Sequence, residues 1–167
     1  METIFKRTSI RRFTDEKVSK EDIEKLLRAA MAAPSAKNAQ PWEFIVVQDE
    51  EKIQQMSRLT PYARPLMHAP SGIVVCGNKE VNSILEYCMI DCAAATENLL
   101  LEAEHLGLGG VWIGMYPMPA NFEKFNELFT VPEHIQPLWM IAIGHKDGEG
   151  RYIEKYNEEK IHYENWD

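Results

Sequence analysis

The sequence predicts one α+β or α/β domain that forms a dimer, and two observations lead to this prediction. Apolar segments with strand and helix patterns alternate along 167 residues, with no internal repeat and no Gly/Ser linker between them. A polar tail, residues 145–167, then carries spaced aromatic side chains, which favours an arm laid across another surface over a disordered end. We therefore expect a single domain over residues 1–167.

The composition is that of a folded protein with an acidic surface. Hydrophobic residues make up 45% and charged residues 26%, and the net charge of −8 argues against nucleic acid or an anionic membrane as partner. The longest unbroken apolar run, residues 138–143, is far shorter than the ~20 residues of a membrane span. The first residues do not form a signal peptide. We expect a cytoplasmic protein that has no membrane segment.

Cysteines and histidines give little sign of chemistry. Cys76, Cys88 and Cys92 are too few for a disulfide framework, so we expect buried free thiols, which suit a reducing compartment. The five histidines are scattered, and none has a partner at metal-ligand spacing, so we expect no metal site.

The first half of the chain predicts two helices and two strands. Residues 19–22 resemble a capping box, and apolar positions at helical spacing follow until Pro34 ends the run. Residues 43–48 have the pattern of a strand, and residues 49–58 that of a short helix. Residues 71–77, rich in β-branched side chains with glycine near each end, predict a buried strand.

The second half predicts a long central helix over residues 86–106. At ~1.5 Å per residue such a helix is about 30 Å long. Gly107 is expected to cap it, and Gly109 and Gly110 to form a flexible turn into a short strand, residues 111–113. The remaining elements are a helix over residues 121–129 and a third apolar strand over residues 137–144.

The N-terminal segment is the first candidate site. The first 13 residues carry a net charge of +3 in an acidic chain. If this segment is extended, Arg7, Ser9 and Arg11 project on one side, because side chains alternate along a strand. Two guanidinium groups and a hydroxyl suit a phosphate group. The alternative is a solvated basic turn before a helix.

The loop between the first helix and the first strand is the second candidate. Residues 33–42 hold two prolines together with Ser35, Asn38, Gln40 and Trp42. Proline stiffens the loop and removes backbone donors, which leaves the polar side chains free to contact a ligand. The alternative is an ordinary helix-ending turn with Trp42 packed in the core.

Residues 107–115 form a third, weaker candidate, because glycines at this density let a ligand approach the backbone. They do not follow a strand, so they are not a dinucleotide-binding glycine loop. The sequence offers ligand-binding groups and no obvious catalytic acid, base or nucleophile. That pattern fits a protein whose cofactor carries out the chemistry.

These motifs together resemble the nitroreductase family of flavin-dependent oxidoreductases. The resemblance rests on residues 7–13 (RTSIRRF), residues 34–42 (PSAKNAQPW) and residues 109–114 (GGVWIG), with weaker support from residues 155–166. It covers essentially the whole chain. The chain departs from the family pattern in two ways: Thr8 replaces the more usual Arg or His, and the inserted helices that cover the flavin in larger relatives are missing.

The resemblance implies an α+β fold with a central mixed β-sheet flanked by helices. It also implies a homodimer with one FMN at each of two interface sites and a C-terminal arm, residues 145–167, that extends onto the partner subunit. The implied cofactor-binding residues are Arg7, Thr8, Ser9, Arg11, Pro34, Ser35, Ala36, Asn38, Ile113, Gly114, Arg151 and Lys155.

Each group of residues has an implied role. Arg7, Ser9 and Arg11 hold the phosphate, the ribityl chain and the ring edge, while Thr8 contributes its backbone. Pro34, Ser35, Ala36 and Asn38 come from the partner subunit and line the flavin. Ile113 and Gly114 approach it through their backbone. Near the C-terminus, Lys155 holds the phosphate, with Arg151 as a second candidate.

The implied activity is an FMN-dependent oxidoreductase with a ping-pong mechanism. NADH or NADPH delivers hydride to flavin N5, and a small oxidised acceptor, such as a nitroaromatic or a quinone, then takes the electrons. Alternatives within the family are a reductive dehalogenase and a flavin-modifying enzyme. Outside enzymes, they are a non-catalytic module that binds or stores flavin and a plain dimeric interaction domain.

Overall fold

The fold is described from a computed structural model that covers residues 2–166, apart from the side chains of residues 119 and 120. The helices are α1 (Glu2–Lys6), α2 (Lys20–Met31), α3 (Glu50–Met56), α4 (Leu85–His105) and α5 (Pro119–Phe129). The strands are β1 (Trp42–Val47), β2 (Ser71–Asn78), β3 (Leu108–Gly114) and β4 (Ile135–His145). Short 3₁₀ turns lie at Ala36–Asn38, Arg64–His68 and Glu158–Lys160.

The four strands form one sheet in the order β1-β2-β4-β3, and every pair of neighbouring strands is antiparallel. The α+β class is therefore confirmed, but the expectation of a mixed sheet is wrong for these strands. Within residues 2–166, parallel pairing occurs only as an isolated bridge between Ser9 and Gly110. The apolar pattern of a strand records burial and carries no information on the direction of its neighbour.

Helices and loops cover both faces of the sheet. On β2, Ile73 and Val75 point into a core shared with α2 and α4. Val74 and Cys76 point into the opposite core, which includes side chains from α3 and α5. Since β-strand side chains alternate between faces, the continuous apolar run of β2 follows from its burial on both sides.

The predicted start of α2 is confirmed in atomic detail. The Ser19 hydroxyl accepts a hydrogen bond from the backbone N–H of Asp22 at 3.0 Å and donates one to the Asp22 carboxylate at 2.8 Å. A capping side chain of this kind satisfies one of the free N–H groups at the beginning of a helix. The hydrogen bond from Ser19 also lowers the pKa of Asp22.

Of the three glycines that follow α4, one has the predicted role and two do not. Gly107 has a φ of +76° and follows the end of α4, as a C-terminal glycine should. Gly109 and Gly110, however, lie inside β3, so the expected flexible turn at these two residues is wrong. A Cβ on Gly109 would lie 2.7 Å from the Ile10 side chain, and one on Gly110 would lie 2.8 Å from Ile143. These glycines allow close packing inside a strand.

The last part of the described chain carries little buried surface of its own. After β4, residues 146–166 contain one short 3₁₀ turn, and their aromatic side chains are exposed, with Trp166 at 86%. The prediction of an arm over the partner subunit stays a prediction, since the structure contains one chain. Among the helices within residues 2–166, each is too short or too polar to cross a bilayer.

Candidate functional site

The N-terminal segment is extended and fixed to the sheet. The backbone N–H of Ile10 donates to the Gly110 carbonyl at 3.0 Å, and that of Thr14 donates to the His145 carbonyl at 3.0 Å. Ile10 and Phe13 are buried in the core, while Ser9 and Arg11 are exposed. Of the three side chains in the phosphate hypothesis, Ser9 and Arg11 are therefore exposed, whereas Arg7 is half-buried, with its Nε atom beside Glu97.

The tail returns to this same segment. Gly150 packs directly on Thr8, so closely that a Cβ on Gly150 would overlap the Thr8 hydroxyl. Farther back, Arg12 forms an ion pair with Asp147 at 2.6 Å, and the backbone N–H of Asp147 donates to the Arg12 carbonyl at 3.1 Å. The two ends of the chain therefore form opposite walls of one cleft.

This first cleft has a volume of about 570 Å³ and combines six of the twelve predicted cofactor-binding residues. It is lined by Ile4, Phe5, Arg7, Thr8, Ser9, Arg11, Arg151, Tyr152, Ile153, Glu154, Lys155 and Tyr156. Its size falls within the usual range for cofactor pockets, ~300–1,000 Å³. Local periodicity could not predict the contact between Gly150 and Thr8, because these residues are more than 140 positions apart in the sequence.

The first cleft is strongly cationic. Glu154 is the one acidic residue among the described residues that line it. This carboxylate accepts hydrogen bonds from the backbone N–H groups of Tyr156 and Lys155 and from the Tyr152 hydroxyl, at 2.8–2.9 Å. These bonds lower the pKa of Glu154, the Tyr156 N–H being the largest cause. Arg7 lies 3.1 Å from the Glu97 carboxylate, measured from its Nε atom.

The other three cations, Arg11, Arg151 and Lys155, form no ion pair with any of the described residues. A cleft with unpaired cations in an acidic protein suits an anionic ligand.

A second cleft, of about 580 Å³, adjoins the first through Arg11, which lines both. Residues 61–68 form one wall and the end of β3 the other, with Ile113 and Gly114 among the lining residues. The space in front of Gly114 is open, because a Cβ on this residue would have no neighbouring atom within 4 Å. Tyr62, Arg64 and His68 in this wall were not predicted, since no regular pattern marks them in the sequence.

The loop with Pro34, Ser35, Ala36 and Asn38 lines neither cleft. Within one chain the structure therefore does not bring these four residues to Arg7 and Ser9. The loop is tied instead to α4, where the Asp91 carboxylate accepts a hydrogen bond from the backbone N–H of Ala36 at 3.0 Å. Trp42 is buried in the core, as the alternative interpretation of this loop expected.

The thiols offer no nucleophile. Cys76, Cys88 and Cys92 are free and buried, as predicted. Burial raises the pKa of Cys76 to about 12 and also raises the pKa values of Cys88 and Cys92. Thiolates are the reactive form of cysteine, so these side chains are inert at neutral pH.

The decisive observation comes from comparison with known proteins. The model of the nitroreductase family matches residues 4–71 and 60–145. The chain belongs to the nitroreductase family. It is 41% identical to a protein of Archaeoglobus fulgidus named provisionally as an NADH dehydrogenase/NAD(P)H nitroreductase, over 99% of this chain and 98% of that one.

Solved structures agree with this assignment to the nitroreductase family. A protein of Parabacteroides distasonis with the same provisional name superposes with a TM-score of 0.94 at 42% identity, covering 99% of this chain and 97% of that one. An FMN-dependent nitroreductase of Clostridium difficile superposes with a TM-score of 0.91 at 32% identity, over 99% of this chain and the whole of that one.

Proposed function

We propose that this nitroreductase-family protein is an FMN-dependent oxidoreductase that passes electrons from NADH or NADPH to a small oxidised acceptor, such as a nitroaromatic or a quinone. The observation that carries the proposal is the first cleft. It brings Arg7, Ser9 and Arg11 from one end of the chain against Arg151 and Lys155 from the other. The names of the relatives support the proposal, since they include NAD(P)H nitroreductases and an FMN-dependent enzyme.

The residues of the first cleft fit FMN. A phosphate monoester needs cations and hydrogen-bond donors, which the arginines, Lys155 and the Ser9 hydroxyl provide. The opening toward the second cleft gives room for a planar ring beside the β3 backbone at Ile113 and Gly114. When bound, FMN supplies hydride transfer at its N5 atom, which explains why the chain needs no catalytic acid, base or nucleophile.

Each wall has a distinct task in this proposal. Arg7, Arg151 and Lys155 hold the phosphate, Ser9 and the Thr8 backbone hold the ribityl chain, and Arg11 lies at the ring edge. A cation at this position stabilises negative charge on the ring of a reduced flavin. The second cleft stays open for NAD(P)H and then for the acceptor, which use it in turn in a ping-pong scheme.

We further propose that residues 1–167 form one domain of a homodimer. The loop of Pro34, Ser35, Ala36 and Asn38 then lines the flavin bound by the partner subunit. The arm, residues 145–167, first lines the cleft of its own chain and then extends onto the partner. Two features support this arrangement. The loop lies outside the clefts of its own chain, and Tyr87 and Ile90 of α4 are exposed, Ile90 by 64%. The buried free thiols suit a cytoplasmic protein.

The test is an absorption spectrum of the purified protein, with the released flavin identified after denaturation. We expect about one FMN per subunit, as one site per protomer requires, and bleaching of the flavin absorbance by NADH or NADPH. Arg11→Ala should lose flavin during purification, whereas Arg28→Ala, which removes an exposed cation paired with Glu24 on α2, should retain it.

A protein that binds FMN without oxidising NAD(P)H would instead support a flavin-storage module. A colourless protein that binds no added FMN would overturn the proposal.

A further inference from the structure

The loop between α2 and β1 has an unusual backbone. Lys37, Asn38 and Gln40 have φ values of 54°, 55° and 52°. This left-handed region is unfavourable for residues with a Cβ, and it is most common at glycine. Three such residues within four positions persist only where the surroundings hold them, and strain of this kind concentrates at functional sites.

Hydrogen bonds within the loop account for part of its shape. The Ser35 hydroxyl accepts from the backbone N–H of Gln40 at 3.0 Å, and the Asn38 side-chain oxygen accepts from Gln40 Nε2 at 3.0 Å. Both bonds are local, so neither fixes the loop relative to the rest of the protein. Within residues 2–166, one side chain from another element forms a hydrogen bond with this loop: Asp91 of α4. Its Oδ1 atom accepts from the backbone N–H of Ala36 at 3.0 Å.

The Asp91 carboxylate is buried, and its burial lowers the stability of the fold. The residue is 5% exposed, and its Oδ2 atom is buried with no hydrogen-bond partner in the described structure. A buried carboxylate with an unsatisfied oxygen destabilises a fold, and an apolar residue would fill this place at less cost. Groups that lower stability are retained where they serve a site, because sequences trade stability for activity.

We propose that Asp91 is a positioning residue: it holds the strained turn at Ala36–Asn38 in the shape that contacts the cofactor. This inference rests on the proposed function, in which the same loop lines the flavin. Asp91 lies 55 positions from Ala36 in the sequence and, in this proposal, does not itself touch the cofactor. The buried carboxylate fixes the backbone of Ala36, and through it the side chains of Ser35 and Asn38.

The test compares Asp91→Ala, Asp91→Asn and a matched control, Thr96→Val. Thr96 lies on the same helix, is fully buried, and accepts a hydrogen bond from Trp139 Nε1 at 2.8 Å, so its loss also breaks a buried contact of α4. Two quantities are measured: the hydrogen-exchange rate of residues 33–41 in the flavin-free protein, and the dissociation constant of FMN.

Asp91→Ala should speed exchange in the loop and weaken FMN binding, each by about tenfold, as for the loss of one hydrogen bond to a charged group. Asp91→Asn keeps an acceptor at Oδ1, so its loop exchange rate and its FMN dissociation constant should both stay close to the wild-type values. Thr96→Val should lower the melting temperature while leaving both unchanged.

Loop exchange in Asp91→Ala at the wild-type rate would overturn the inference, and so would faster exchange with an unchanged FMN dissociation constant. Equal effects of Thr96→Val and Asp91→Ala would also overturn it, since they would show only general destabilisation. A wild-type protein that binds no FMN would overturn the proposed function and this inference with it. Normal FMN binding by all the variants would overturn the inference alone.

Discussion

Ile10 packs against the bare backbone of Gly109, with only 2.7 Å between the Ile10 side chain and the position that a Cβ on Gly109 would take. One residue along, the N–H of Ile10 donates to the Gly110 carbonyl at 3.0 Å. The N-terminal wall of the first cleft therefore lies where it does because β3 has no side chain at Gly109. Packing in the core and the position of the candidate site depend on the same contact.

Gly109→Ala should displace this wall. The added methyl group overlaps the branched, stiff side chain of Ile10, and overpacking of this kind costs ~1–3 kcal/mol in the free energy of unfolding. We expect the FMN dissociation constant to rise by about tenfold or more, because a displacement that costs ~1.4 kcal/mol of binding gives that factor. Fluorescence titration of apoprotein with FMN measures it.

Gly72→Ala is the control for that variant. Gly72 is also a buried strand glycine, but its nearest neighbour is the flexible end of the Met56 side chain, at 2.9 Å. This variant should lose stability and keep its FMN affinity. Equal FMN affinities for Gly109→Ala and the wild type would show that the cleft does not depend on the Ile10 contact.

Gly150→Ala should separate the tail from the N-terminal segment. Its Cβ overlaps the Thr8 hydroxyl, so the backbone before Arg151 and Lys155 must move away. We expect weaker FMN binding. The double variant Thr8→Ala/Gly150→Ala should recover part of it, because it removes the overlapped hydroxyl while the Thr8 Cβ still lies 2.8 Å from the added methyl group. FMN titration of both variants and of Thr8→Ala completes the cycle. Failure of the double variant to recover would mean that Gly150 acts other than through Thr8.

Arg64→Ala should change the preference between acceptors. Arg64 lines the second cleft with Arg11 and His68. Within residues 2–166, no acidic residue lines that cleft and Arg64 has no ion-pair partner. A charge-assisted hydrogen bond is worth ~1.5–3 kcal/mol, so the KM for 4-nitrobenzoate should rise by about tenfold. The KM for neutral 4-nitrobenzyl alcohol should stay within about twofold. Equal changes for both acceptors would contradict a role in recognising the anion.

The buried thiol of Cys76 should make the folded protein less stable in alkaline solution. The folded protein holds the pKa of Cys76 at about 12, above the value of 9.0 for a free thiol, because burial disfavours the thiolate. Above pH 9 the unfolded chain releases this proton and the folded chain keeps it, so the free energy of unfolding should fall as pH rises from 9 toward 12. Urea denaturation across this range measures the slope.

Cys76→Ala is the matched variant for the alkaline slope, because it removes the titrating group from both states. Its slope should be shallower than that of the wild type. An identical slope in the two proteins would assign the alkaline loss to other groups.

Local chemistry predicted the parts of the fold that depend on neighbouring residues. The cap at Ser19, the burial of β2 and the C-terminal glycine of α4 follow from propensity, periodicity and backbone freedom, and all three are present. The roles of Gly109 and Gly110 were missed because a glycine in a sequence gives no sign of what approaches it.

In the candidate site, too, local features could be predicted from the sequence and contacts between distant residues could not. The candidate residues of the N-terminal segment came from its local cluster of cations and its resemblance to the family, while its extended conformation was only a condition of the phosphate hypothesis. The contact of Gly150 with Thr8 and the anchor from Asp91 to Ala36 join residues far apart in sequence. Such contacts follow from the topology of the whole sheet, and no window of a few residues contains the necessary information.

The walls of the first cleft come from residues 4–11 and 151–156, so nearly all of the chain is synthesised between them. A ribosome therefore delivers the first wall well before the second. The emerging chain consequently has no complete first cleft until the sheet has formed and residues 151–156 have folded back. In the proposed site, a bound FMN would therefore connect two segments that are 140 residues apart in the sequence.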